Sequence, residues 1–141
     1  MLFESRRRRI LNVTSKEDTM SWWVSLNSWN PETHEIGGPV EVERFVEGGT
    51  LMLGGSVQAD LNITYNYSHY FHEALDTEKG LKWLSGRTAA ETVVRLEAAV
   101  AALGTEPYTD YWEATPGNAG FALSILLAWA RKNPEAVWEV H

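Results

Sequence analysis

Residues 60–68 alternate strictly, with Leu61, Ile63, Tyr65 and Tyr67 on one side of an extended strand and Asn62, Thr64 and Asn66 on the other. Three shorter runs precede it. In residues 21–26, Trp22, Val24 and Leu26 oppose Trp23 and Ser25; in residues 40–45, Val40, Val42 and Arg44 oppose Glu41, Glu43 and Phe45; residues 51–53 are Leu-Met-Leu. Asn30-Pro31-Glu32 and Gly37-Gly38-Pro39 bracket a loop between the first two runs. The Gly48-Gly49 pair predicts a tight hairpin, and Gly54-Gly55-Ser56 ends the third strand. Four strands joined by short turns predict an antiparallel meander.

After Ser68 the apolar period changes from two to about 3.6 residues, which marks the start of a helical half. Ser68 caps a predicted short helix over residues 69–78, with Phe71 and Leu75 as its buried pair and Gly80 beyond its end. Thr88-Ala89-Ala90-Glu91 is a capping box, followed by the stripe Val93, Leu96, Val100 and Leu103 and by Gly104 as a stop. Thr115-Pro116 opens a last helix as N-cap and first helical residue. Leu123, Ile125, Leu126, Leu127 and Trp129 make that helix apolar nearly all round, hence central, and Asn133-Pro134 ends it. Residues 137–140, Val-Trp-Glu-Val, suit a final strand. The fold class predicted is α+β: a four-stranded antiparallel meander in the N-terminal half packed against two or three C-terminal helices.

At 141 residues the chain fits one domain, long enough to bury about two thirds of its unfolded surface. We place that domain at residues 20–141. Residues 1–19 read as a basic, weakly ordered arm or upstream extension: they are polar, aperiodic, and carry Arg6 to Arg9 and Lys16 against three acids. That leaves seven basic and sixteen acidic side chains, a net −9, on the domain. So acidic a body repels a phosphate backbone, and no nucleic acid is expected on residues 20–141. The chain has no cysteine, which removes disulfides, thiol catalysis and Cys-based zinc sites and suits a reducing cytoplasm. No apolar run is long enough to span a bilayer, so no membrane partner is expected. Seven tryptophans are more than one small core can hold, so some should line a pocket or a subunit contact. An exposed first or last strand would likewise favour a homo-oligomer.

Two asparagines in one short strand need a local cause, because Asn competes for nearby backbone groups. A ligand facing Asn62, Thr64 and Asn66 is one cause; a solvated face and a polar cluster bonded to a neighbouring loop are the others. Residues 108–118 run Tyr111 and Trp112 into a helix N-terminus at Thr115, where the amides near Asn118 suit an anion and the aromatic rings suit a planar group. Arg87 is the nearest candidate cation for such a ligand. Gly54-Gly55-Ser56 can form an anion-holding nest, but it lacks the lysine of a phosphate-binding loop, and turn geometry also explains it. His69, His72 and Glu73 share a helix face, with Asp76 nearby; their spacing is not that of a zincin and no third ligand is evident. No metal or cofactor is expected.

Gly54-Gly55-Ser56, Leu61-Asn62-Ile63-Thr64-Tyr65-Asn66-Tyr67, Gly80-Leu81-Lys82-Trp83-Leu84-Ser85-Gly86-Arg87-Thr88 and Tyr111-Trp112-Glu113-Ala114-Thr115-Pro116-Gly117-Asn118, in that order, resemble a family of small proteins of unassigned activity carried by bacteriophages and prophages. The resemblance spans Gly54 to Trp138 and leaves out residues 1–19. It implies a phage accessory protein acting in the host bacterial cytoplasm, and it implies no catalytic residue.

Three functions follow as expectations. The first is a non-enzymatic binder of a small anionic or nucleotide-like ligand, such as a sponge for a defence signal, using Asn62, Thr64, Asn66, Arg87, Tyr111, Trp112, Thr115 and Asn118. The second is an inhibitor whose acidic body docks on a basic surface of a host protein. The third is a small hydrolase built on His69, His72 and Glu73.

Overall fold

The computed structural model describes residues 21–42, 46–47, 50–52, 58–110 and 113–141. Its elements run β1 (Ser21–Asn30), β2 (Glu35–Pro39), β3 (Val46–Glu47), β4 (Thr50–Met52), β5 (Asp60–Thr64), a 3-10 turn (Tyr65–Tyr67), α1 (Ser68–Ala74), a second 3-10 turn (Gly80–Leu84), α2 (Ala89–Leu103), α3 (Pro116–Lys132) and β6 (Val137–Val140). The class is α+β, with an antiparallel sheet in the N-terminal half and three helices in the C-terminal half, as the periodicity predicts.

Strand β1 organises the sheet. It pairs with β5 along residues 21–25, with β6 along 24–27 and with β2 along 27–30, every pairing antiparallel. Alternation decides which edge each partner takes, because the N–H and C=O of one residue in an antiparallel strand point the same way. Leu26 donates to the Ala59 carbonyl (3.0 Å) and accepts from the Val40 amide (2.9 Å), so β5 and β2 share one edge of β1. Trp23 exchanges both bonds with His141 (3.0 and 2.9 Å), so β6 takes the other. The hairpin β3–β4 extends the sheet beyond β5, with Glu47 opposite Thr50 across Gly48-Gly49.

Three local expectations are corrected. The partner of β1 begins at residue 35 and includes the expected loop Gly37-Gly38-Pro39, with Val40 still bonded to Leu26; residues 43–45 of the expected strand 40–45 lie outside the described residues. The Asn30 carboxamide oxygen accepts from the Glu32 and Thr33 amides (2.9 and 3.4 Å) and turns the chain at once, and a register irregularity accommodates the extra glycine. The expected alternation on β5 stops at Thr64, whose hydroxyl accepts from the Asn66 amide (3.2 Å) and starts a 3-10 turn. The last strand is no open edge, because Trp138 accepts from the Gly86 amide (2.9 Å) and donates to the Arg87 carbonyl (3.0 Å). The expected Gly54-Gly55-Ser56 nest lies outside the described residues.

The helices cover the sheet face that carries Trp22, Val24, Leu26, Leu61, Ile63 and Trp138, all buried. Each large apolar side chain removed from water there contributes about 1.5–3 kcal/mol before entropy is charged. Thr88 and Glu91 complete the capping box of α2, and Thr115 caps α3 with Pro116 in its first turn. Helix α3 is the central one, packed against α2. Glycines permit its contact with residues 104–106: a methyl group on Gly117 would collide with the Glu106 carbonyl oxygen, and one on Gly120 with that of Gly104. Among the described residues, no helix is long and apolar enough to cross a membrane.

Candidate functional site

Adjacent residues of one strand face opposite ways, and β1 begins with two tryptophans. Trp22 goes into the core, 7% exposed, against Tyr65 (ring centroids 4.6 Å apart) and Phe71 (5.5 Å). Trp23 must therefore project from the other side of the sheet, where 37% of its surface is exposed. The register fills in its surroundings. Trp23 lies opposite Asn62 on β5 and opposite His141 beyond β6, which makes one row, His141–Trp23–Asn62. Ser25 lies opposite Asp60 and Glu139, which makes the next row, Glu139–Ser25–Asp60. Residues directly opposite share a face, so an indole stands beside two carboxylates, an imidazole and a carboxamide on the side of the sheet away from the helices.

Hydrogen bonds determine what this face offers a partner. The Asn62 Nδ2 amide donates to Ser21 Oγ (3.0 Å) and to the Trp22 carbonyl (3.2 Å), which uses both its N–H groups and leaves Oδ1 as its remaining capacity. Glu139 Oε1 accepts from Asn27 Nδ2 (2.8 Å), a carboxamide that is itself buried, and lies 3.9 Å from His141 Nε2. Burial raises the Asp60 carboxyl above its usual range, and the nearby His141 charge partly opposes that. The face is thus rich in acceptors around an exposed ring.

The structure separates the residues that the sequence grouped as one ligand site. Asn62 is on the face opposite α1–α3 beside Trp23, whereas Thr64 is buried and serves the 3-10 turn; Asn66 is exposed in that turn. Thr115 and Asn118 lie on the other side of the sheet, near α1, whose Tyr70 hydroxyl donates to the Ala114 carbonyl (3.2 Å). Asn118 is buried and fully used: it donates to the Asp110 and Glu113 carbonyls (3.2 and 2.9 Å) and accepts from the Tyr108 amide (2.9 Å). The Asn118 amide goes to Thr115 Oγ1 (3.1 Å) and the Ala119 amide to the Thr115 carbonyl (3.2 Å), so these expected anion donors already have partners within the chain. Arg87 lies at the far end of α3. The first amides of α2 donate to the Ala136 and Pro134 carbonyls just past the α3 C-terminus (2.8 and 3.0 Å), and a helix of 17 residues is about 25 Å long. There Arg87 donates through Nε to the Trp83 carbonyl (2.7 Å) and stacks its guanidinium on the Trp83 ring at 4.3 Å, opposite no acid among the described residues. Tyr111 and Trp112 lie outside the described residues.

The histidines of α1 have local partners. His69 Nε2 lies 3.1 Å from Glu73 Oε2, and His72 Nδ1 lies 3.0 Å from the Thr77 carbonyl. Asp76, whose pKa is lowered first by the Lys79 backbone amide, also accepts from Arg95 (3.0 Å). Among the described residues no three His, Asp or Glu side chains converge on a metal position.

Sequence reasoning missed Trp23, Asp60, Glu139 and His141. The signal was the second face of the first strand, Trp23 and Ser25, which only gains meaning once β5 and β6 are set beside it. No protein family, no curated protein and no solved structure matches this chain, so the functional reading rests on its own residues and geometry.

Proposed function

We propose that this chain is a binding module without turnover, whose sheet face opposite α1–α3 takes an arginine or lysine side chain of a basic partner protein onto Trp23. The observation that supports this reading is the composition of that face: Trp23 is exposed beside Asn62, with Asp60 and Glu139 one row away. A cation over an indole is attracted by the ring's negative face. The groups around Trp23 are acceptors, and a guanidinium carries donors only. The net charge of −7 adds long-range steering toward a basic surface.

A nucleotide-like ligand finds less support in this arrangement. The carboxylates beside Trp23 repel phosphates, and the Arg87 guanidinium is stacked on Trp83 instead. A hydrolase centred on His69, His72 and Glu73 finds less still, since those side chains lie along one short helix with their own partners.

The test is fluorescence anisotropy with a labelled tetra-arginine peptide and a matched tetra-glutamate peptide. The reading expects saturable binding of the arginine peptide alone, weaker at higher salt and reduced by both Trp23→Ala and Glu139→Gln. Equal affinity for wild type and Trp23→Ala would assign the binding to overall charge and remove the proposed site.

A further inference from the structure

Four consecutive arginines, Arg6 to Arg9, precede a domain that carries seven basic and sixteen acidic side chains. They lie outside the described residues. The described arginines of the domain are committed elsewhere: Arg87 stacks on Trp83, Arg95 pairs with Asp76 (3.0 Å) and Arg131 pairs with Glu97 (2.6 Å). None of them stands over Trp23. In the two rows around that ring, Asn62, Asp60 and Glu139 are acceptors and only His141 can carry a positive charge. Charge complementarity within one chain therefore points from the arginine run to this face.

The length of the connection permits the contact. Ser21 shares its face with Trp23 and accepts from Asn62 Nδ2 (3.0 Å), so the chain enters the sheet at the rim of the site. Eleven residues, 10–20, connect Arg9 to Ser21. At up to about 3.6 Å per residue they reach roughly 40 Å. Trp23 and the Asp60–Glu139 row lie only about 7 and 13 Å along β1 from Ser21. Side chains on one side of an extended segment repeat every 7 Å or so, roughly the spacing of the two rows, and Arg7 and Arg9 can thus meet both at once.

We infer that Arg6–Arg9 dock on the Trp23 face of their own chain, an inference that rests on reading that face as a site for arginine. A guanidinium lies flat on the indole and still directs its N–H groups outward, to Asn62 Oδ1 and to the carboxylates of Asp60 and Glu139. The arginine run is then the resident ligand, and a basic partner protein must displace it. A segment tethered this closely acts at a local concentration of about 1 mM. If its contact has a dissociation constant of about 0.1 mM, an arginine peptide from solution binds about tenfold more weakly than it would to an open face.

The probe is the labelled tetra-arginine peptide, titrated into the full wild-type chain and into one carrying Arg6→Ser, Arg7→Ser, Arg8→Ser and Arg9→Ser together. The substituted chain should bind it about tenfold more tightly, and its Trp23 indole Nε1–H resonance should differ from that of the wild type before any peptide is added. Removing four positive charges also strengthens attraction at long range, so both chains are measured again with Trp23→Ala. There the gain should fall by about threefold, because a weakened contact holds less of the face. Equal affinity of the two chains, or a gain that Trp23→Ala leaves untouched, would overturn the inference; the Trp23 site itself stands as long as Trp23→Ala still weakens the peptide. If neither chain binds the peptide, that site fails and the inference with it. A wild-type indole resonance that moves on dilution would assign the arginines to a second copy and overturn docking within one chain.

Discussion

The indole Nε1–H of Trp138 donates to Oγ1 of Thr92 at 3.0 Å, joining β6 to α2 through two side chains that are both completely buried. Thr92 passes the bond on to the Ala89 carbonyl at 2.7 Å, so the pair closes without water. A Thr92→Val change keeps the shape and strands the indole donor. We expect it to cost about 1–3 kcal/mol. Urea unfolding at neutral pH measures it, and Trp138→Phe in the same background should make the threonine change less costly than it is alone.

Glycine in a helix ordinarily costs stability relative to alanine, so Gly120→Ala would be expected to help. Here the sign reverses, because the added methyl group meets the backbone of Gly104 and no flexible side chain can yield. The expected loss is about 1–3 kcal/mol, as for other overpacked interiors. Ala119→Gly, one residue away, provides the propensity comparison in a thermal melt.

Burial raises the carboxyl of Asp60. A raised folded-state pKa means the folded chain binds the proton better than the unfolded one. The resulting stability is full below the unfolded value near 3.8 and lost as pH rises through the folded value. Ionised Asp60 therefore weakens the fold at neutral pH. Asp60→Asn should raise the melting temperature at pH 7 and lose that advantage toward pH 3, which melts across that range will register.

The local signals in the sequence were sound where one stretch of chain settles the matter. Thr88 with Glu91 and Thr115 with Pro116 mark helix starts because the caps bond within three residues of themselves. Strand β2 escaped notice because Gly37, Gly38 and Pro39 read as loop, and only the Asn30 turn and the register against β1 make them an edge strand. Asn62 was found by its alternation, but its neighbours were not, since Trp23, Asp60 and Glu139 meet through pairings between strands far apart in sequence. The same distance explains Arg87, which precedes α2 in the chain yet sits at the opposite end of α3 from Thr115.

Trp23 should contribute to binding more than to folding, since over a third of it is exposed and it lies outside the core cluster. Trp23→Ala is expected to weaken the tetra-arginine peptide about fivefold or more, as removal of a cation–aromatic contact worth about 1 kcal/mol would do. Its unfolding midpoint should stay close to that of the wild type, whereas Trp22→Ala should lower the midpoint by the several kcal/mol typical of a buried tryptophan, about 3–5.

The most direct measurement is the indole Nε1–H resonance of Trp23, assigned by Trp23→Phe, while N-acetyl-arginine N-methylamide is titrated into the ¹⁵N-labelled chain. The account predicts a saturating shift at that resonance that weakens as salt rises and is absent with N-acetyl-glutamate N-methylamide. An indole that ignores the arginine compound, or that answers a nucleoside monophosphate equally well, would contradict it.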